Sequence, residues 1–239
     1  MRSRADRRSH ADRRSHVVRR YRGGPRSTLR IVATSFACGS VPFSQIAARR
    51  AAGVDLRDHG TGTVSGTGLY EVAGFVPLAV AGCLEVGKGA VGPFLAGRSR
   101  PVLSAVAAGA AVVGHNWSPF LKGKGGRGIS PSLGATLVLA PEGTAVLISG
   151  LAGGRIAKKT GFGSFLSLVA IVPVLALTRG KAGAVTGACI AVPMLAKRLL
   201  GNEPLRSSWL NRRWRRKTSS RTVLVNRLVF DRDERSPAG

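Results

Sequence analysis

Residues Gly74 to Gly97 read GFVPLAVAGCLEVGKGAVGPFLAG, an apolar run that carries a carboxylate, Glu85, and an ammonium, Lys88. Crossing hydrocarbon takes about 20 residues, so the run is long enough to span a membrane. At spacing i, i+3 the two charges can share a helical face and pair, which lowers the cost of carrying them into lipid. A charged pair at that depth reads as a functional site in a membrane protein.

Working outward, the apolar pattern repeats over Ile31 to Ala48, Pro101 to Asn116, Ser132 to Gly154, Phe162 to Thr178 and Ala182 to Ala196. The chain is 44% hydrophobic but only 5% aromatic. Gly and Ala fill the apolar segments, which suits helices packed closely in lipid. Pro141, Glu142 and Gly143 interrupt Ser132 to Gly154. Read as two short helices, that segment puts Glu142 at a turn rather than at mid-depth. The expected fold is therefore all-α and polytopic, with seven short transmembrane helices, the N-terminus outside and the polar active-site loops on the cytoplasmic side. Arg155, Lys158 and Lys159 favour that orientation, because basic loops stay inside. The arginine-rich N-terminal tail opposes it and is outweighed by the agreement of several loops.

The net charge of +26 is divided almost evenly among residues 1–30, 31–196 and 197–239. An excess spread over two tails and the interhelical loops suits anionic lipid, and no nucleic-acid-binding motif accompanies it. The expected partners are membrane lipids, not nucleic acid. Cys38, Cys83 and Cys189 lie in apolar segments, with no C-x-x-C spacing. They read as small buried hydrophobes, and no metal is implied. Residues 1–29, with the tandem repeat ADRRSH, form a basic tail expected to be disordered. Residues 30–204 form the membrane domain. Residues 205–239 form a basic juxtamembrane tail in which Trp209 and Trp214 stand among arginines.

Three polar stretches carry candidate chemistry. Gly39-Ser40-Val41-Pro42-Phe43 places a proline where it breaks the helical ladder and frees backbone groups, with the Ser40 hydroxyl beside them. Val54 to Gly68 reads VDLRDHGTGTVSGTG, in which Arg57 can fork onto two phosphate oxygens and small residues admit close approach. Gly114 to Gly128 reads GHNWSPFLKGKGGRG, in which His115 is a candidate proton carrier and the glycine-rich loop with Lys122, Lys124 and Arg127 is suited to gripping an anion.

In this order, GSVPF with VDLRDHGTG, then EVGKG, then GHNWSPFLKGKGGRG, the chain resembles the bacterial integral-membrane glycerol-3-phosphate acyltransferases that use acyl phosphate, the PlsY type. RLLGNEP at Arg198 to Pro204 is similar to the family's closing RLLxGTEP. The resemblance implies seven membrane helices and attack of the glycerol 3-phosphate 1-hydroxyl on acyl phosphate, giving a lysophosphatidic acid and phosphate. It assigns catalytic roles to Ser40, Arg57, Lys88 and His115, and substrate-phosphate binding to Gly60, Thr61, Gly62, Thr63, Lys124, Gly125, Gly126 and Arg127. It implies no cofactor and no metal. His115 or a substrate phosphate oxygen can take the alcohol proton.

Several positions depart from the family's pattern. Thr63 and Gly68 stand where it has asparagines, Glu85 replaces aspartate, and Gly123 replaces an aromatic residue. The polar H-R-x-N stretch is apolar here, around Ala191 to Leu195. The alternative reading is a noncatalytic relative that binds acyl phosphate or anionic lipid.

Overall fold

The computed structural model describes residues 24–59, 62–202 and 225–229, and these are helical with no strand. Among the described residues the helices run in order α1 (Pro25–Ser40), α2 (Phe43–Ala52), α3 (Gly66–Ala73), α4 (Phe75–Ala96), α5 (Pro101–Asn116), α6 (Ile129–Leu139), α7 (Pro141–Ile156) and α8 (Thr160–Leu200), and residues 225–229 are helical as well. Single 3-10 turns sit at Leu56–Asp58 and Pro119–Leu121. Gly60, Thr61, Trp209 and Trp214 lie outside the described residues.

Proline sets several of these boundaries. Pro25, Pro101 and Pro141 stand in the first turns of α1, α5 and α7, where a missing N–H costs nothing. The interrupted segment divides as expected, because α6 ends at Leu139 and α7 opens at Pro141. Glu142 then lies in the first turn of α7, where a carboxylate suits the positive end of the helix. It meets Arg179 in a two-pronged contact of 3.0 and 3.1 Å. Helix α8 breaks at Gly180, whose φ of 62° is open to glycine at little cost, so its two limbs correspond to the last two apolar segments.

Among the described residues, three helical stretches are long and apolar enough to cross a membrane: Pro25–Ala52, Phe75–Ala96 and Thr160–Leu200. The first contains α1 and α2, joined across Val41 and Pro42, so the proline interrupts this stretch rather than ending it. Phe75, Val76, Phe94 and Leu177 are all more than two-thirds exposed, an apolar outer surface that fits lipid better than water.

Two glycine crossings position the site. A Cβ on Gly39 would run into the Ala111 backbone, and one on Gly114 into the Phe36 carbonyl and Ser40, so α1 and α5 touch backbone to backbone at their C-terminal ends. Gly89 and Gly134 close α4 on α6 in the same way, against the Pro131 and Val86 carbonyls. Behind these crossings the main apolar core joins α5, α6, α7 and α8 through residues such as Val112, Leu147, Leu168, Ile171 and Ile190. Ala191 and Met194 belong to it, so the polar stretch missing from the sequence is replaced by core packing. A smaller cluster of Ala48, Leu56, Val64, Leu69, Ala81 and Leu121 anchors the loops from inside.

Candidate active site

The i, i+3 spacing read from the sequence produces the expected pair. Lys88 Nζ lies 2.6 Å from Glu85 Oε2, and both side chains are almost fully buried. Proline explains the next contact. Pro42 disfavours the helical conformation at the residue before it, so Val41 is extended at the end of α1, and its carbonyl accepts from Lys88 Nζ at 2.6 Å as well as from the Phe43 N–H at 3.2 Å. The ammonium also lies 5.8 Å from the centre of the Phe43 ring. Glu85 Oε1 accepts from both the backbone N–H and the hydroxyl of Ser44, at 3.1 and 3.3 Å. His115 Nδ1 comes within 3.1 Å of Glu85 Oε2. One buried carboxylate therefore ties together α2, α4 and α5, with Oε1 hydrogen-bonded to Ser44 and Oε2 paired with the Lys88 ammonium, the compensation that a buried charge requires.

Ser40 is buried at the end of α1, and its hydroxyl donates to the Phe36 carbonyl at 2.8 Å. Its own carbonyl accepts from the Ser118 hydroxyl at 2.6 Å, which fixes the start of the third-motif loop against α1.

Arg57 sits in the turn Leu56–Asp58, whose N-cap Asp55 accepts from the Arg57 N–H at 3.0 Å. The guanidinium forks onto Asp55, with Nε at 2.9 Å and Nη2 at 2.6 Å. Arg49 adds a contact of 2.7 Å to the same carboxylate. The Arg57 hydrogen bonds hold the Asp55 carboxyl well below the usual carboxylate range, and Asp55 in turn raises the Arg57 guanidinium. Gln45 Oε1 accepts from the Leu56 N–H at 3.0 Å and pins this turn to α2. Farther along the loop the Thr63 hydroxyl is buried, with no hydrogen-bond partner among the described residues.

In the third-motif loop, the Gly125 N–H donates to the Asn116 carbonyl at 3.2 Å and the Gly126 N–H to the His115 carbonyl at 3.3 Å. Two amides that the sequence reading assigns to substrate phosphate thus satisfy the carbonyls left open at the end of α5. A Cβ on Gly125 would strike the His115 carbonyl, and one on Gly126 would strike the His115 imidazole at Nε2. Both glycines therefore let the loop lie on His115. Arg127 Nη1 donates to the Lys197 carbonyl at 3.0 Å, while Lys124, partly exposed, stands on the loop's rim. Among the described residues, no cluster of His, Cys, Asp or Glu could hold a metal ion.

A family model for glycerol-3-phosphate acyltransferase matches residues 29–200. This chain belongs to that family. Glycerol-3-phosphate acyltransferase 4 of Dehalococcoides mccartyi (strain CBDB1) is 30% identical over 225 residues, covering 87% of this chain and 90% of the relative. The Synechococcus sp. (strain CC9902) glycerol-3-phosphate acyltransferase is 32% identical over 172 residues, 71% of this chain and 86% of that one. The fold is similar to the crystal structure of PlsY, an integral membrane glycerol 3-phosphate acyltransferase in its glycerol 3-phosphate form. The TM-score is 0.66 at 21% identity, over 72% of this chain and 88% of that one.

Sequence reasoning missed four side chains that hold this candidate site together. Ser44 and Ser118 were unremarkable hydroxyls whose partners are 41 and 78 residues away. Lys197, buried near the end of α8, donates to the Gly123 carbonyl at 2.8 Å and lies 5.3 Å from the centre of the Trp117 ring. Asn202 Nδ2 donates to the carbonyls of both Gly62 and Gly125, each at 3.1 Å. A usable signal existed for the last two, since Lys197 immediately precedes the closing RLLGNEP motif and Asn202 lies within it.

Proposed function

We propose that this membrane acyltransferase transfers an acyl group from acyl phosphate to the 1-hydroxyl of glycerol 3-phosphate. The observation that carries the reading is the junction at His115. There a buried Glu85–Lys88 pair meets, through the imidazole, a loop bearing Lys124 and Arg127. The hydroxyl oxygen attacks the acyl carbonyl carbon, the bond from that carbon to the phosphate oxygen breaks, and inorganic phosphate leaves. Because the donor is already activated, the protein's main tasks are to bring two mutually repelling anions together and to stabilise the departing phosphate.

Arg57, Lys124, Arg127 and the buried Thr63 hydroxyl supply the phosphate contacts in this reading, together with Gly60, Thr61 and Gly62. Lys88 and Ser40 orient the reacting end. In this reading the His115 proton sits on Nδ1, 3.1 Å from Glu85 Oε2, which leaves Nε2 as the acceptor for the alcohol proton, and a substrate phosphate oxygen is the competing acceptor. Gly125 and Gly126 serve by bringing the cationic loop onto the imidazole. The apolar outer surface gives the acyl tail a path into lipid.

The decisive experiment incubates purified protein with acyl phosphate and glycerol 3-phosphate and follows phosphate release together with lysophosphatidic acid formation. Stoichiometric appearance of both products supports the reading, and their absence from folded protein rejects it.

The topology proposed with it has seven spans, counting α6, α7 and each limb of α8 separately, with the site loops cytoplasmic. Single cysteines at His59, Lys122 and Lys158, in a background lacking the native cysteines, should react from the cytoplasmic side, and one at Arg98 from the other. Opposite accessibility of His59 and Lys122 would sink the shared site.

A further inference from the structure

The two loops that the proposed reaction needs are not joined to each other by any element of secondary structure. Residues 62–65 lead into α3, whereas residues 117–128 connect α5 to α6. They pack on each other through Val64, which shares an apolar cluster with Leu121 and lies against Gly126, and the end of α8 adds hydrogen bonds to both. Asn202, one residue past the C-cap Gly201, sends both amide hydrogens into carbonyls, one to Gly62 in the first loop and one to Gly125 in the second. Lys197, five residues earlier, grips the second loop twice: its ammonium reaches the Gly123 carbonyl, and its own carbonyl receives Arg127.

The amide is the chemically apt group for this task. A carboxamide NH2 has two donors in one plane, so a single side chain can bind two carbonyls, which a hydroxyl with one proton cannot do. The sequence makes the point sharper, because this chain has Thr63 in the first loop and Gly68 in the following helix where the resembled family has asparagines, and asparagine where the family's closing motif has threonine. An amide absent from the first loop is thus present beside it, supplied from the other end of the chain.

We propose that Asn202, supported by Lys197, is a positioning residue that fixes the spacing of the two phosphate-binding loops and so sets affinity for glycerol 3-phosphate. The proposal deepens the acyltransferase reading and rests on it for the substrate. It does not require Asn202 to touch substrate. Removing the amide frees two buried carbonyls and lets the loops drift apart, which should raise KM for glycerol 3-phosphate far more than it lowers kcat.

The test compares wild type, Asn202→Ala and Asn202→Thr, each as the full chain in detergent, by steady-state kinetics and by amide hydrogen exchange. Asn202→Ala is expected to raise KM for glycerol 3-phosphate by about tenfold or more, as loss of buried hydrogen bonds would, with kcat changed by less than about threefold. Exchange should quicken at residues 62–65 and 123–127 together while α4 and α5 stay protected. Asn202→Thr, with one donor, should tether one loop only, giving an intermediate KM. An unchanged KM with unchanged loop exchange overturns the proposal. So does faster exchange throughout the protein with an unchanged KM, which is the signature of a merely structural residue. If the wild type transfers no acyl group but the paired change in loop exchange is seen, the acyltransferase reading fails and the clamp stands.

Discussion

The buried hub and the loop pair solve the same problem, holding charge in a defined place, by opposite means. Glu85 and Lys88 are one helical turn apart, and their partners at Ser44, Val41 and His115 stand on or beside helices that cross at glycine contacts. The loops at residues 62–65 and 117–128 have only short turns, one of them 3-10, and two backbone bonds to the end of α5, and are otherwise held by single side chains, Ser118, Lys197 and Asn202, reaching carbonyls 74 to 140 residues away. The difference implies that the hub should fail all at once, through an uncompensated buried charge, whereas the loops should fail by degrees.

The largest effect is therefore expected in the hub. Lys88→Ala leaves Glu85 buried without its ammonium and should destabilise the protein by about 3–5 kcal/mol. Activity should fall by roughly three orders of magnitude. The double variant Glu85→Gln with Lys88→Met removes both charges and should recover much of the lost stability without recovering turnover. Thermal unfolding in detergent read beside the acyl-transfer assay separates the two effects, and a double variant no more stable than Lys88→Ala would refute the view of the pair as an electrostatic unit.

Next comes the cation at the first loop. Arg57→Ala should reduce kcat/KM by roughly a hundredfold, and Arg57→Lys should rescue little because an ammonium cannot fork onto two oxygens. Near-normal kinetics in the lysine variant would show that only charge matters there.

Between hub and loop lies Gly126. A single methyl group at this position would meet the His115 ring, so Gly126→Ala should displace the loop and lower kcat/KM by roughly ten- to a hundredfold, with little change in unfolding temperature. A wild-type rate would mean that the loop's seat on the imidazole has no catalytic consequence.

The smallest effects belong to the divergent asparagine positions and to Asp55. Restoring asparagine at Thr63 and Gly68 should improve glycerol 3-phosphate affinity by about a few-fold, as one or two added hydrogen bonds would. Space permits it at Gly68, where an added Cβ would lie 3.4 Å from Ser65 Oγ. Asp55 provides the pH test. Its carboxyl is held below the unfolded value of about 3.9, so its contribution is complete above that pH and is lost only as pH falls toward the lowered native value. Stability should therefore be insensitive to this group near neutrality, and Asp55→Asn should flatten the acid limb of the unfolding profile. An acid limb unchanged by the substitution would place its origin elsewhere.

Local rules were enough for much of this molecule. The i, i+3 spacing fixed the Glu85–Lys88 pair, Pro141 divided α6 from α7, and apolar periodicity placed the two limbs of α8. The ordered motifs were enough to name the family, because residue type at fixed spacing survives divergence. Tertiary structure decided what those motif residues bind. It sent the Gly125 and Gly126 amides back to α5, forked Arg57 onto Asp55, turned the Ser40 hydroxyl to its own helix, and recruited Lys197 and Asn202 to the loops. The physical reason is range: helix spacing and turn chemistry act within a few residues and can be read along the chain. A buried carbonyl, by contrast, accepts whichever donor the packing of distant helices brings within about 3 Å, and that choice exists only once the chain has folded.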